Sequence, residues 1–417
     1  MKKSPLFIIF LIAFVDLAGF GLILPLQGVY AERMHASTFP FGLLVGAYAA
    51  TQFIFNPILG RWSDRVGRKR VLLLCIGGSV VSHILLGVAD IAQSLPLLFV
   101  ARILDGLSGA NIATAQAYIA DVTTEENRAK GMGMFGAAFG LGFVVGPAMG
   151  AGLAWLGTIV SGEQFGTSWP AFGASALSLV ATILVWRLLP ESRPDRERTS
   201  DSGKRRGEGF RLMAIYRAMK DPRLAELLTM TFATTFAFVL LEVTLVFLCI
   251  DTFALDMTGI GLVFTYLGIV MVIVQGGLVG RLARRFGEPA VLSVAPFVTA
   301  IGFVLITGAL FTQTTSLAWC MLLVGLLPTV VGHGLTGPNI NALISRQAHK
   351  DRQGVTLGFS HGVASLARAL GPPLGGLLYW KVGPHWPYWG GAAILVMAGV
   401  FATSIRVAQR ASLERES

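Results

Sequence analysis

The chain has 417 residues, 54% of them hydrophobic and 13% charged, with a formal net charge of +10 and a mean hydropathy of +0.67. Soluble domains carry about 25% charged residues, so this composition excludes an ordinary water-soluble globule. Cys75, Cys249 and Cys320 all fall in apolar runs without metal-ligand spacing, which excludes a disulfide framework or a zinc site and reads as free packing cysteines.

Met1-Lys2-Lys3 opens the chain and is followed by the apolar run Leu6–Val29. That run is too long for a signal peptide, contains Asp16 and lacks a small-residue cleavage site, so it predicts a first spanning helix. Eleven further stretches reach or approach the roughly 20 residues that a span needs. They lie near Phe41–Gly60, Val71–Ile91, Leu95–Ile119, Gly131–Leu156, Trp169–Leu189 and Leu224–Ile250. The rest lie near Gly259–Arg281, Pro289–Phe311, Leu317–Ile344, Val355–Trp380 and Trp386–Val407. An even number of spans places both termini on one side. Taking the Lys2 side as inside, 29 of the 33 Lys and Arg fall in inner loops and tails. The outer loops keep Arg33 and Lys381, and Arg102 and Arg368 lie within spans. This asymmetry predicts cytoplasmic termini. It also assigns the basic balance to anionic headgroups rather than to nucleic acid.

Residues 190–222, rich in Arg, Lys, Glu, Asp, Ser and Gly, read as a cytoplasmic linker with a short amphipathic piece around Phe210–Met219. They divide the chain into six-helix halves, 1–189 and 223–417. The halves resemble each other. Asp105-Gly-Leu-Ser-Gly-Ala-Asn111 matches His333-Gly-Leu-Thr-Gly-Pro-Asn339, and Gly146-Pro147-Ala-Met-Gly150 matches Gly371-Pro-Pro-Leu-Gly375. The basic turn Gly60–Arg70 has a faded copy in Gly280–Glu288, where Arg284 stands in the place of Asp64. Three matches in the same order indicate an internal repeat.

Several residues stand out at membrane depth. Asp16 lies near the middle of the first span, where a carboxylate costs about 2.5–3.5 kcal/mol by insertion scales. It is therefore expected to face the interior and to bind and release protons; the plainer reading is an interhelical strut. Arg102 and Asp105, three residues apart, share a helix face and are expected to pair. Glu242, His333 and Arg368 are candidates in the second half, with Glu242 or Asp16 as the acid that Arg368 meets. Of the polar residues Gln52, Asn56, Asn111, Gln116, Gln275, Asn339 and Asn341 in the spans, some are expected to face the cavity and most to bond across helices; Gln52, Asn111, Gln116 and Asn339 are the candidates to face a substrate. His83 and His361 read as packed or interfacial. In the basic turn, topogenic charge accounts for Arg65, Arg68, Lys69 and Arg70 but not for Asp64, which is suited to cap a helix N-terminus or pair with its basic neighbours. Gly142, Gly146 and Gly150 recur every four residues, a stripe that lets helices approach closely, with a bend at Pro147.

Over essentially its whole length the chain resembles the major facilitator superfamily. Gly60-Arg-Trp-Ser-Asp64-Arg65-Val-Gly67-Arg68-Lys69 matches that family's signature loop position for position. Arg102-Ile-Leu-Asp105-Gly106 is similar to its helix-four motif, and Gly142-Phe-Val-Val-Gly146-Pro147-Ala-Met-Gly150 to its antiporter motif in helix five. Ala117–Thr123 with Glu125–Arg128, and Asp16–Pro25, resemble the tetracycline–proton antiporter subgroup.

The resemblance implies an all-α membrane protein of twelve transmembrane helices in two pseudo-symmetric six-helix bundles, with helices one, four, seven and ten lining the cavity. It also implies a latch of Gly60, Asp64, Arg65, Gly67 and Arg68 with Asp121 as the helix-four partner, and a helix-five bend that seals against leak. The expected function is a proton-coupled antiporter exporting an amphipathic drug-like molecule, with Asp16, Arg102 and Asp105 in proton coupling. A symporter for a sugar or other metabolite is the first alternative, opposed by the helix-five motif. A non-transporting receptor or scaffold is the second, opposed by the intramembrane charges. No nucleotide site, metal cluster or catalytic triad is visible, so neither enzymatic activity nor a cofactor is expected; the proton gradient is the energy source. The expected partners are a small-molecule substrate, protons and the lipid bilayer, with no nucleic acid, for a monomer in a bacterial inner membrane.

Overall fold

The computed structural model describes residues 5–24, 26–192, 221–312, 314–347 and 353–416. Among these residues the regular structure is all helical. The spans are α1 (Pro5–Ile23 continued by Leu26–Arg33), α2 (Thr38–Val66), α3 (Arg68–Ile91), α4 (Leu95–Gly109 continued by Ile112–Val122), α5 (Glu125–Gly166) and α6 (Trp169–Leu188). They continue with α7 (Pro222–Phe253), α8 (Met257–Phe286), α9 (Glu288–Phe311), α10 (Thr315–Gln347), α11 (Gln353–Lys381) and α12 (Trp386–Glu416). Eleven of the described helices are long and apolar enough to cross a bilayer. The exception, α11, is 29 residues long, and its apolar run is interrupted by His361, Arg368, Pro372 and Pro373. It completes a twelve-span membrane protein. The expected amphipathic piece at Phe210–Met219, and most of the linker, lie outside the described residues.

Only helices satisfy every backbone group internally in hydrocarbon, and the side chains follow the same solvent logic. Large apolar residues point outward: Ile159, Ile273 and Met397 are each more than 60% exposed. Small and polar residues fill the interfaces. Between α9 and α10, a Cβ on Gly302 would meet Thr329 Oγ1 at 2.1 Å and one on Gly332 would meet Thr299 Oγ1 at 2.2 Å, so glycine is what allows this approach.

Local signals set the helix ends. Asp221 caps α7, its carboxylate accepting from the backbone N–H groups of Arg223 and Leu224 at 3.0 and 3.4 Å, with Pro222 at the first helical position. Gly162, at φ +77°, kinks the end of α5, which runs ten residues past its expected end at Leu156. In α8, Val274–Leu278 forms a π-helical turn between two α-helical segments.

Two compact units form. The first contains α1, α2 from Ala47 onward, α3–α6, and Leu255–Gly268 at the start of α8. The second contains Ser37–Gly46, α7, the remainder of α8 from Ile269, and α9–α12. The first unit is packed around Ile9, Ile12, Leu72, Ile76, Tyr118 and Ala138. The second has a cluster around Leu224, Met230, Leu292 and Ile344.

Candidate functional site

Asp16 is half-buried in α1, and Asn111 Nδ2 donates to its Oδ2 at 3.1 Å. Asn111 is available because α4 is broken at Ala110–Asn111, where the backbone leaves regular helical geometry. The break frees carbonyls, and the Gly109 carbonyl accepts from Gln52 Nε2 at 2.9 Å. Gln52 thus bonds across from α2 to the break. Asp16 and Asn111 are the polar lining of an otherwise apolar cavity of about 20 Å³, walled by Ile9, Ile12, Leu72 and Phe135. A cavity of that size holds a single water molecule.

Arg102 and Asp105 pair as their spacing predicts, Nη1 to Oδ2 at 2.5 Å, and both are buried. The Arg102 guanidinium also lies 4.4 Å from the centre of the Tyr48 ring, a cation–π contact in a dry setting. The other oxygen of Asp105 accepts from Ser82 Oγ at 3.2 Å and faces His83 Nε2 at 3.5 Å. Asp105 also acts electrostatically on Asp16, so the two carboxylates belong to one charged neighbourhood.

The glycine stripe of α5 packs on the helix that carries Asp16. A Cβ on Gly142 would come within 2.9 Å of Leu17, one on Gly146 within 2.6 Å of the Gly21 backbone, and one on Gly150 within 2.8 Å of the Leu22 carbonyl. Pro147 is buried beside it.

The basic turn is built around Arg68, which is 5% exposed. Its Nη2 meets Asp64 Oδ1 at 2.6 Å and its Nε meets Asp121 Oδ2 at 3.1 Å. Nη1 donates to Ser63 Oγ at 2.5 Å and more weakly to the Gly60 carbonyl at 3.4 Å. Gly67 enters this turn at φ +110°, ψ 145°, a conformation available in practice only to glycine. Asp64 lies in the last turn of α2, not before a helix. Its expected part as a helix N-cap is therefore corrected: the carboxylate bonds Arg68 four residues on. Arg65 is exposed.

In the second unit, Glu242 is half-buried in α7, and the Arg368 guanidinium in α11 acts electrostatically on Glu242, His333 and His361. His333 stacks on Phe238 with ring centroids 3.7 Å apart and planes 6° from parallel. Asn339 Nδ2 bonds the Leu335 carbonyl of its own helix at 2.7 Å. Gln116 is half-buried on α4. Among the described residues no group of His, Cys, Asp and Glu is arranged to hold a metal ion.

Three partnerships escaped the sequence reading. Ser82 and His83 join Asp105 from α3. Glu191 Oε1 accepts from the Arg68 backbone N–H at 2.9 Å, and Ser192 Oγ donates to Asp121 Oδ2 at 3.2 Å, so the chain leaving α6 joins the Arg68 cluster. Asp90, fully buried at the end of α3, accepts from Arg33 Nη1 at 2.9 Å and from Thr167 Oγ1 at 2.8 Å, and Arg33 also bonds Thr167. Arg33 and Asp90 are the charges at neighbouring helix ends on one membrane face, which was the available signal.

The chain matches the sequence profile described as Major Facilitator Superfamily over residues 6–368 and 278–417. It is 30% identical over 410 residues to multidrug resistance protein 2 of Bacillus subtilis, covering 96% of each chain. It is 29% identical over 405 residues to the class C tetracycline resistance protein of Escherichia coli, covering 96% of this chain and 95% of that one. Its fold matches the crystal structure of a bacterial homologue of the human lysosomal transporter Spinster, with a TM-score of 0.73, 16% identity, and 97% and 96% of the two chains covered.

Proposed function

The chain belongs to the major facilitator superfamily of membrane transporters, and from that premise we propose that it is a proton-coupled antiporter exporting an amphipathic, drug-like molecule. The observation that carries this reading is Asp16: a carboxylate at membrane depth, bonded by Asn111 and bordered by a cavity the size of one water. Charge in that position is costly and defaults to function. The relatives named for multidrug and tetracycline resistance support a drug-like substrate and outward transport. The asymmetry of Lys and Arg supports cytoplasmic termini, and the bacterial relatives support a bacterial inner membrane.

In this reading Asp16 takes a proton while the transporter is open outward, with the Arg68 latch closed. Neutralisation removes the charge that Asn111 stabilises and favours the inward-facing state, where the proton leaves in exchange for substrate. Arg102 does not deprotonate, so its role is to pair with Asp105 as a fixed positive charge. One inward charge is worth about 2.3 kcal/mol per 100 mV, which supports a substrate gradient of roughly fifty-fold. Dye efflux from cells, measured with and without an uncoupler, tests the reading: loss of efflux on uncoupling is expected. Efflux that ignores the uncoupler refutes proton coupling, and net uptake refutes export.

A further inference from the structure

We propose that His83 is a second proton-carrying position of this transporter, sharing with Asp16 the one proton that neutralises the buried charges of the first unit. The proposal rests on the proton-coupled reading of Asp16 given above.

The argument begins with charge. Asp16, Arg102 and Asp105 together carry a net charge of −1 when both carboxylates are ionised. An uncompensated charge in a membrane interior is expensive, so one added proton brings the cluster to neutrality. Asp16 is one seat for it. His83 is the other titratable group against the cluster: it is 2% exposed, and its Nε2 faces Asp105 Oδ1 at 3.5 Å. With the proton on His83, the imidazolium stands against Asp105, Arg102 keeps its bond to the other oxygen of that carboxylate, and Asp16 stays ionised on Asn111.

Each ring nitrogen has a polar partner nearby. Nδ1 lies 3.2 Å from Ser178 Oγ in α6. A neutral imidazole has one donor and one acceptor nitrogen, and an imidazolium has two donors. The Ser178 hydroxyl can donate to Nδ1 in the first state and accept from it in the second, and the Asp105 carboxylate 3.5 Å from Nε2 is the counter-charge for the protonated ring. A strut requires only one of these arrangements. The charged and titratable groups facing His83 from the helices packed on it are Asp105 and Arg102 of α4, and α6 contributes the uncharged Ser178 and Ala174. Proton balance is simple: Nε2 or Nδ1 gains an N–H bond from a proton supplied by the medium, and returns it to the medium as the cluster becomes anionic again.

The test uses the full-length protein in proteoliposomes and detergent micelles, with the wild type, His83→Gln, Ser178→Ala and Asp16→Asn. The imidazole nitrogens of labelled histidine are followed by NMR between pH 5 and 8.5, with His83 assigned by its loss in His83→Gln. In the wild type its signal is expected to change with pH, and in Asp16→Asn, where the cluster is already neutral, to become invariant. For ethidium exchange driven by a proton gradient, His83→Gln is expected to move the pH profile by about tenfold in proton concentration, whereas Ser178→Ala, which keeps the ring, retains the ability to titrate. A His83 signal that stays constant with pH in the wild type overturns the proposal. So does a His83→Gln profile superimposable on the wild type. Failure of the underlying reading looks different: Asp16→Asn would then exchange ethidium for protons at the wild-type rate, whatever His83 does.

Discussion

Asn111 donates to Asp16 from the break in α4, so the carboxylate at the centre of α1 depends on an irregularity in another helix. Replacing Asn111 with Ala leaves the carboxylate in place but removes its donor, a loss of about 1.5–3 kcal/mol for a hydrogen bond to a charged group. Proton-driven exchange in proteoliposomes is expected to fall at least tenfold, with a changed pH profile. Asp16→Asn is expected to abolish coupling while leaving insertion intact. Exchange at the original rate in Asp16→Asn would make Asp16 a strut.

Arg68 holds three side chains and a backbone carbonyl at once, which sets the expectation for its acidic partners. Asp64 is 40% exposed at its side chain and Asp121 21%, so each pair contributes modestly to stability. Asp64→Asn or Asp121→Asn is therefore expected to leave membrane abundance nearly unchanged while shifting the population toward inward-facing states. Accessibility of single cysteines introduced on the two membrane faces measures that shift; an unchanged pattern contradicts a latch.

Gly146 meets the Gly21 backbone, and a leucine there forces α5 away from α1. Overpacking of this kind costs about 1–3 kcal/mol. If the contact seals the pathway, Gly146→Leu leaks protons without substrate, seen as a collapsing pH gradient in vesicles. If it only supports the fold, expression and melting temperature drop while the surviving protein remains tightly coupled. Normal stability with tight coupling refutes both roles.

Asp90 ties together the ends of α1 and α3 and the α5–α6 connection. Asp90→Ala leaves Arg33 and Thr167 without their shared acceptor and is expected to destabilise by about 1–3 kcal/mol. The melting temperature in detergent should fall, with proton coupling per folded molecule retained. A variant that melts normally but uncouples would move Asp90 from the scaffold to the transport pathway.

The spans were readable because hydrocarbon imposes one rule on the backbone and another on side chains, and both leave long apolar runs. The Arg102–Asp105 pair was readable from helical spacing alone, Arg68 with Asp64 from a motif that holds both, and Asp121 only from what the family resemblance implies. The glycine stripe was readable as a packing face, though not that α1 is what it packs on. Asn111 could not be assigned to Asp16, because that bond needs α4 to break at Ala110. His83 was taken for a packing residue for a similar reason: its contact with Asp105 depends on the relative rotation of α3 and α4, which no pattern within either helix specifies. Of the two parts expected of Asp64, pairing with a basic neighbour is what forms; the capping was misjudged because a turn rich in charge conceals whether an acid ends one helix or begins the next.

The π-helical turn at Val274–Leu278 stores one surplus residue in the coil of α8. Ordinarily, deleting a residue from a helix swings everything beyond it by about 100° and takes every later side chain off its face. Here the surplus is already absorbed, and Gly276 and Gly277 stand in open space, Gly277 with nothing nearer than the tip of Arg281. Losing one of these glycines would let the coil relax to ordinary α pitch with both flanks still in phase. In this long span, therefore, the segment around Gln275 is where chain length itself is negotiable: a built-in slack that a regular α-helix does not have.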